Sequence, residues 1–348
     1  MASPGKASTP GSGSKTGTRP IHLIDFDKVA LAPTASPKTA KPATTVTTTG
    51  KLHLLTALAR YQIEIGDLTA AGQSLERASE LLEEVKRSNP TTTLPDAINR
   101  DRAEILAGIA YQHHQRKEFS PAQTQWYEAM NLANAIVAPD ERAQAFASIA
   151  RTLQEATPAT AGSYFGRAID SARTLNDPAV RSITLSSIAR DLTSLGQYQQ
   201  AEDLFAQAAT GIPAITDAKK RLNVQCAIAK YRAEAGDNAL AQELLKQIAG
   251  LSKETGSPLE CDRHQADAHS AIARNLAKNG DISSAQKEFT AALDRVVKFQ
   301  DPETRASAIL YLARNLVDAG DLESAARIVA VALQDSGVGP DGAPKSKA

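Results

Sequence analysis

From residue 51 to about 335, apolar residues recur at three- and four-residue spacing, and Gly and Pro interrupt them at near-regular intervals. That is the periodicity of helices that bury one face and are separated by turns. The flanks lack it. Residues 1–50 are rich in Ser, Thr, Pro, Gly and Lys, with too little apolar surface to offset the entropy of ordering, so a disordered tail is expected there. The tail is mildly basic, carrying Lys6, Lys15, Arg19, Lys28, Lys38 and Lys41 against Asp25 and Asp27. One apolar island, residues 21–31, lies inside it and reads either as a stray patch or as a short docking motif for a partner or for the chain's own groove. Residues 336–348 return to Gly, Pro, Ser and Lys and read as a second disordered tail.

Within residues 51–335 one motif returns seven times: an Ile or Leu, an Ala, then usually a basic residue. Its alanines are Ala59, Ala110, Ala150, Ala189, Ala229, Ala273 and Ala313, separated by 51, 40, 39, 40, 44 and 40 residues. A period near 40 corresponds to one helix pair per unit. Seven residues after the Ala comes Gly66, Gly196, Gly236, Gly280 or Gly320, and Asp67, Asp237, Asp281 and Asp321 follow four of these. Gly supplies the backbone freedom that ends a helix, and Asp caps the next. A small residue (Ala71, Ala122, Ala161, Ala201, Ala241, Ala285, Ala325) then precedes a bulky one (Leu75, Trp126, Phe165, Phe205, Leu245, Phe289, Val329) by four positions. In the third unit the turn is one residue shorter, at Ala156-Thr157-Pro158.

This register resembles the tetratricopeptide repeat: a small residue on the first helix, Gly-Asp at the turn, then small, bulky and small residues on the second. The resemblance covers all seven units. It departs from the family in having Ala where the first helix usually carries Gly, and in a period about six residues longer. Asp177-Pro178, Asp301-Pro302 and Pro139-Asp140 place the start of a first helix about one turn early, which accounts for most of the extra length. The fold implied is all-α: a right-handed α-solenoid of seven antiparallel helix pairs with disordered ends. HEAT and armadillo repeats share the period but lack the Gly-Asp turn.

The resemblance also implies a concave face lined by first helices, onto which the residue after the small position points. Here that residue is Arg60, Tyr111, Arg151, Arg190, Lys230, Arg274 and Arg314, a basic ladder suited to an acidic peptide or a chain-terminal carboxylate. Four residues on lie Glu64, Glu155, Glu234 and Asp318, which either pair with the ladder within each helix or bridge neighbouring units. Arg190 and Arg274 have no acid at that spacing and are the better candidates for partner contact. A second basic series, Lys51, Arg102, Arg142, Arg181, Arg221 and Arg305, reads as junction residues pairing with nearby acids such as Asp140.

The remaining chemistry points away from catalysis. The sequence has no nucleophile elbow, no phosphate-binding loop and no dinucleotide fingerprint. Cys261, His264 and His269 fit no zinc spacing, so neither metal nor cofactor is expected. Charge is balanced at 39 basic and 39 acidic residues and aromatics are 4%, which argues against a nucleic-acid binder. Cys226 and Cys261 are far apart in sequence and read as unpaired, in keeping with a reducing compartment. With no apolar run long enough to span a bilayer and no secretory core at the start, a cytoplasmic location is the expectation. The expected function is a non-enzymatic scaffold or adaptor that binds other proteins through a peptide or helix in the groove. A peptide-responsive sensor is the alternative. The second helix of the last unit, Leu322 to Leu333, is apolar enough to need cover, by another copy, another domain or the tail.

Overall fold

The computed structural model describes residues 23–24, 48–88, 94–255 and 259–336. Of the two stretches expected to be disordered tails, Leu23, Ile24, Thr48–Gly50 at the start of α1 and Ser336 at the end of α14 are described, and the rest, with the remainder of the 21–31 island, lies outside these residues. The described chain is all-α. Its helices are α1 (Thr48–Glu64), α2 (Leu68–Ser88), α3 (Leu94–Gln115), α4 (Phe119–Ala135), α5 (Pro139–Leu153), α6 (Pro158–Arg173) and α7 (Pro178–Ser194). There follow α8 (Tyr198–Thr210), α9 (Ala218–Glu234), α10 (Asn238–Thr255), α11 (Leu259–Lys278), α12 (Ile282–Val296), α13 (Pro302–Asp318) and α14 (Leu322–Ser336).

Local chemistry sets these boundaries. Asp177 caps α7 by accepting from the amides of Ala179 and Val180, with Pro178 in the first turn. Asp217 caps α9 by accepting from the amides of Lys219 and Lys220, and Asp301 caps α13 by accepting from that of Thr304. In α5 the proline, Pro139, opens the helix, but the preceding residue is Ala138, whose amide instead donates to Asp96 of α3 at 2.8 Å. At the other end of every odd helix except α5, whose turn is one residue shorter, the chain reverses through a left-handed residue. Gly66, Gly196, Gly236, Gly280 and Gly320 have φ between 75° and 92°. Two hydrogen bonds close each reversal, as when Gly66 N–H donates to Ile63 and Asp67 N–H to Gln62. In the second unit, where there is no glycine, Lys117 takes the left-handed conformation at φ 63° and makes the same pair of bonds.

Each odd helix packs on the even helix that follows it, giving seven hairpins. The register alanines allow close approach: Ala59, Ala110, Ala150, Ala189, Ala229, Ala273 and Ala313 are all fully buried, and the small-bulky pair of every second helix is buried as well. Each odd helix also packs on the next odd helix, from α1 on α3 through to α11 on α13, and α13 packs on α1. The two ends that a solenoid leaves apart therefore meet, and the odd helices form a closed inner ring. The apolar face of α14, which the sequence leaves in need of cover, has Ile328, Val329 and Leu333 buried in one cluster with residues of α1, α2 and α13 and with Leu23 and Ile24. The ground for expecting self-association through that end is thus met within the chain.

Cys226 of α9 and Cys261 of α11 are joined in a disulfide, with Cα atoms 5.3 Å apart and both residues fully buried. This corrects the reading of two unpaired cysteines and removes the argument for a reducing compartment that rested on it. Among the described residues, no helix is long and apolar enough to cross a membrane.

Lys117 marks a local conflict between side chain and backbone, because a non-glycine residue in the left-handed region costs about 1–2 kcal/mol. Lys117→Gly should raise stability by about 1 kcal/mol in urea denaturation, after allowing for the added freedom of the unfolded chain.

Candidate functional site

The ladder positions fall on the odd helices about one hairpin apart, so ring closure turns them inward. They converge on a central cavity of about 390 Å³ lined by side chains from all seven odd helices. Arg60, Tyr111, Arg151, Arg190, Arg274 and Arg314 line it. Lys230, the remaining ladder residue, is half-buried and outside the lining.

The ladder is not a row of free cations. Each member reaches forward to an acid of the next hairpin, on its odd helix or, for Tyr111, in the turn that follows that helix. Arg60 meets Asp101 and Glu104, both at 2.7 Å. The Tyr111 hydroxyl donates to Glu155 at 3.4 Å. Arg151 lies 3.5 Å from Asp191, Arg190 2.8 Å from Glu234, and Lys230 2.9 Å from Asp267. Arg274 lies 3.5 Å from Asp318, and Arg314 closes the circle on Glu64 of α1 at 2.9 Å. The acids four residues beyond the ladder therefore serve mainly as bridges between units. Lys230 does contact its own helix's Glu234, at 3.8 Å.

The ground for preferring Arg190 and Arg274 as partner contacts, the lack of an acid partner, does not hold. Arg190 donates to Asp191 and Glu234. Arg274 donates to Asn275, to Asn315 and to the carbonyl of Glu234. The acids that hold Arg190 and Arg274, Glu234 and Asp318, lie one hairpin ahead rather than one turn along the same helix. The ladder member least engaged is Arg151. Its side chain is 46% exposed, and its one ion pair runs from Nε to Asp191.

Burial and charge act together on these acids. Burial alone would raise the Asp101 carboxyl, but the charges of Arg60 and Arg100 and hydrogen bonds from both hold it well below the usual range. Glu234 is likewise opposed by burial, yet Arg190, Lys230 and a hydrogen bond from Tyr311 bring it down to about 2. Tyr311 of α13 reaches past α11 to make that bond, and burial beside Glu234 and Asp267 pushes its hydroxyl well above the usual value. Around the cavity five arginines face five carboxylates, which are Glu64, Glu104, Asp191, Glu234 and Asp318. The wall is polar and nearly neutral.

The second basic series sits at the junctions between hairpins, as expected, but its partners differ. Arg142, Arg181, Arg221 and Arg305 each donate to the backbone carbonyl six residues earlier, those of Ile136, Leu175, Ile215 and Phe299. Those four carbonyls belong to residues whose side chains are buried, so each arginine clamps the chain as it enters the next inner helix. Arg102 instead approaches Asn99 at 3.4 Å. Two of the three residues weighed as metal ligands have other partners, and the third, His264, is buried. Cys261 is in the disulfide, His269 bonds Glu288 at 2.6 Å, and burial together with Lys230 and Arg263 pushes His264 down to about 3.

No family model matches this sequence, and no curated protein matches it. Among solved structures, a chain described as Ton1535 from Thermococcus onnurineus NA1 aligns over 80% of this chain and 98% of its own, at 17% identity and a TM-score of 0.42. That likeness is too loose to carry an argument about fold or function.

The depressed Glu234 fixes a pH dependence. Its ordinary value is 4.5 and its folded value about 2, so its contribution to stability is whole above pH 4.5 and is lost as pH falls towards 2. Urea denaturation between those limits should show stability declining with acid, and the decline should be shallower in Glu234→Gln.

Proposed function

We propose that this chain is a non-enzymatic, tetratricopeptide-like interaction protein, a right-handed superhelix of seven hairpins closed on itself, and that it binds the end of a polypeptide in its central cavity. One observation carries the reading: every inner helix contributes side chains to a single polar cavity, and Arg151 stands there half-exposed with only one ion-pair contact. A guanidinium of that kind offers its remaining N–H donors to a carboxylate, either a chain terminus or an acidic side chain. The same wall carries neutral polar groups, Gln112, Ser148 and Ser194, which can serve a peptide backbone.

The size of the cavity narrows the partner. About 390 Å³ lies within the range of roughly 300–1,000 Å³ usual for small-ligand sites. An α-helix, about 10–12 Å across with its side chains, is a poor fit. The favoured ligand is therefore the extended end of a chain rather than a helix lying in a groove. Because the wall is already charge-balanced, selectivity comes from placing one carboxylate on Arg151 rather than from a broad basic field.

The test is a screen of peptides displayed with free carboxyl ends, followed by titration of those retained. Arg151→Ala should weaken binding by about 10- to 100-fold, the range for a lost hydrogen bond to a charged group, with little change in melting temperature. Amidating the peptide's carboxyl end, or raising the salt, should weaken it similarly. If retained peptides bind the variant as tightly as the parent, the site is elsewhere.

A further inference from the structure

We propose that the seam between the first and last hairpins is a binding site for an extended apolar segment, and that the chain's own Leu23–Ile24 is its resident occupant, clasping the ring shut. The observations are independent of the cavity. Six of the seven contacts between neighbouring hairpins have the chain running through them. The seventh, α13 against α1, joins residues some 250 positions apart and has no covalent link of its own. Leu23 and Ile24 are buried in the apolar cluster that unites α1 and α2 with α13 and α14, Leu23 completely.

The polar contact is specific as well. The turn aspartates Asp67, Asp237, Asp281 and Asp321 each cap a second helix with Oδ1, accepting from the amides of Ala70, Leu240, Ser284 and Ser324. Of these four, Asp321 is the one that is buried. Its second oxygen accepts the backbone N–H of Leu23 at 2.5 Å. In other units a side chain of the next hairpin holds the turn: Arg116 donates to the Gly66 carbonyl, and Asn275 to the Ala233 carbonyl and to Asn238. At the seam the turn is held by the backbone of an incoming segment.

The recognition chemistry follows. The site takes a chain with two consecutive aliphatic side chains and an unpaired backbone N–H, which it presents to a buried carboxylate. A covalently attached segment acts at an effective concentration on the order of millimolar, so it outcompetes free segments of the same kind until it is displaced.

The experiment uses the full-length chain and a fluorescent synthetic peptide of residues 19–30. In the full-length Leu23→Asp/Ile24→Asp variant the site is emptied, and the peptide should bind one to one. The wild-type chain should bind it at least 10-fold more weakly, and adding Asp321→Asn to the variant should abolish binding. Equal binding to wild type and variant, or no binding to a variant that keeps its helical circular dichroism, overturns the proposal. If the double variant does not fold, Asp321→Asn alone decides, because the amide keeps one oxygen for the α14 cap and loses the acceptor for Leu23. Hydrogen exchange at the Leu23 amide should then quicken at least 10-fold, and unchanged exchange overturns the proposal.

Discussion

Everything about this ring depends on one repeated contact: a donor on one inner helix meeting an acid of the next hairpin. It occurs at all seven interfaces, and the last instance, Arg314 on Glu64, joins the end of the repeat array to its beginning. Several of the acids, Asp101, Asp191, Asp267 and Glu234, are almost completely buried, where an unpaired carboxylate costs several kcal/mol. The pairing is therefore a constraint as much as an attraction. A hairpin that slipped or tilted would strand a buried charge, so the contacts fix both the rotation between neighbours and the number of units that close the circle.

The apolar parts serve the same geometry. Alanine at the register positions brings the helices of each hairpin close together, and the arginine-to-carbonyl clamps set where the chain enters each inner helix. The Cys226–Cys261 disulfide ties α9 to α11 directly. The result is a collar around a small polar cavity in which most charges are already satisfied. A ligand must therefore use what is left over, chiefly the half-exposed Arg151 and the neutral groups beside it.

Much of the architecture is legible in the sequence because the repeat is written in residues with one physical meaning each. Ala59 and its counterparts mark close packing, and Gly66 and its counterparts mark the left-handed reversal. Lys117 breaks that second rule, and the turn forms regardless because the flanking helices impose it. Closure is not legible. It depends on small rotations summed over seven units, which no single residue encodes. The site is legible only in part. The ladder positions do face inward, but the absence of an acid one helical turn beyond Arg190 does not leave it unpaired, because its partner Glu234 lies 44 residues on. The cysteines illustrate the same point. Thirty-five residues apart, they look unrelated in the sequence, yet that is close to one unit, the separation that sets side by side residues of neighbouring inner helices.

Closure is the claim on which the rest stands, and a distance across the seam tests it directly. Spin labels replacing Ile65 and Leu322, both exposed at the turn ends of the first and last hairpins, report that distance by pulsed dipolar spectroscopy. Packed helices lie about 8–10 Å apart, so a closed ring should give one narrow distribution below about 30 Å, label arms included. An open stack of seven units at that spacing would put the labels beyond about 40 Å, and a broad distribution there would contradict the account.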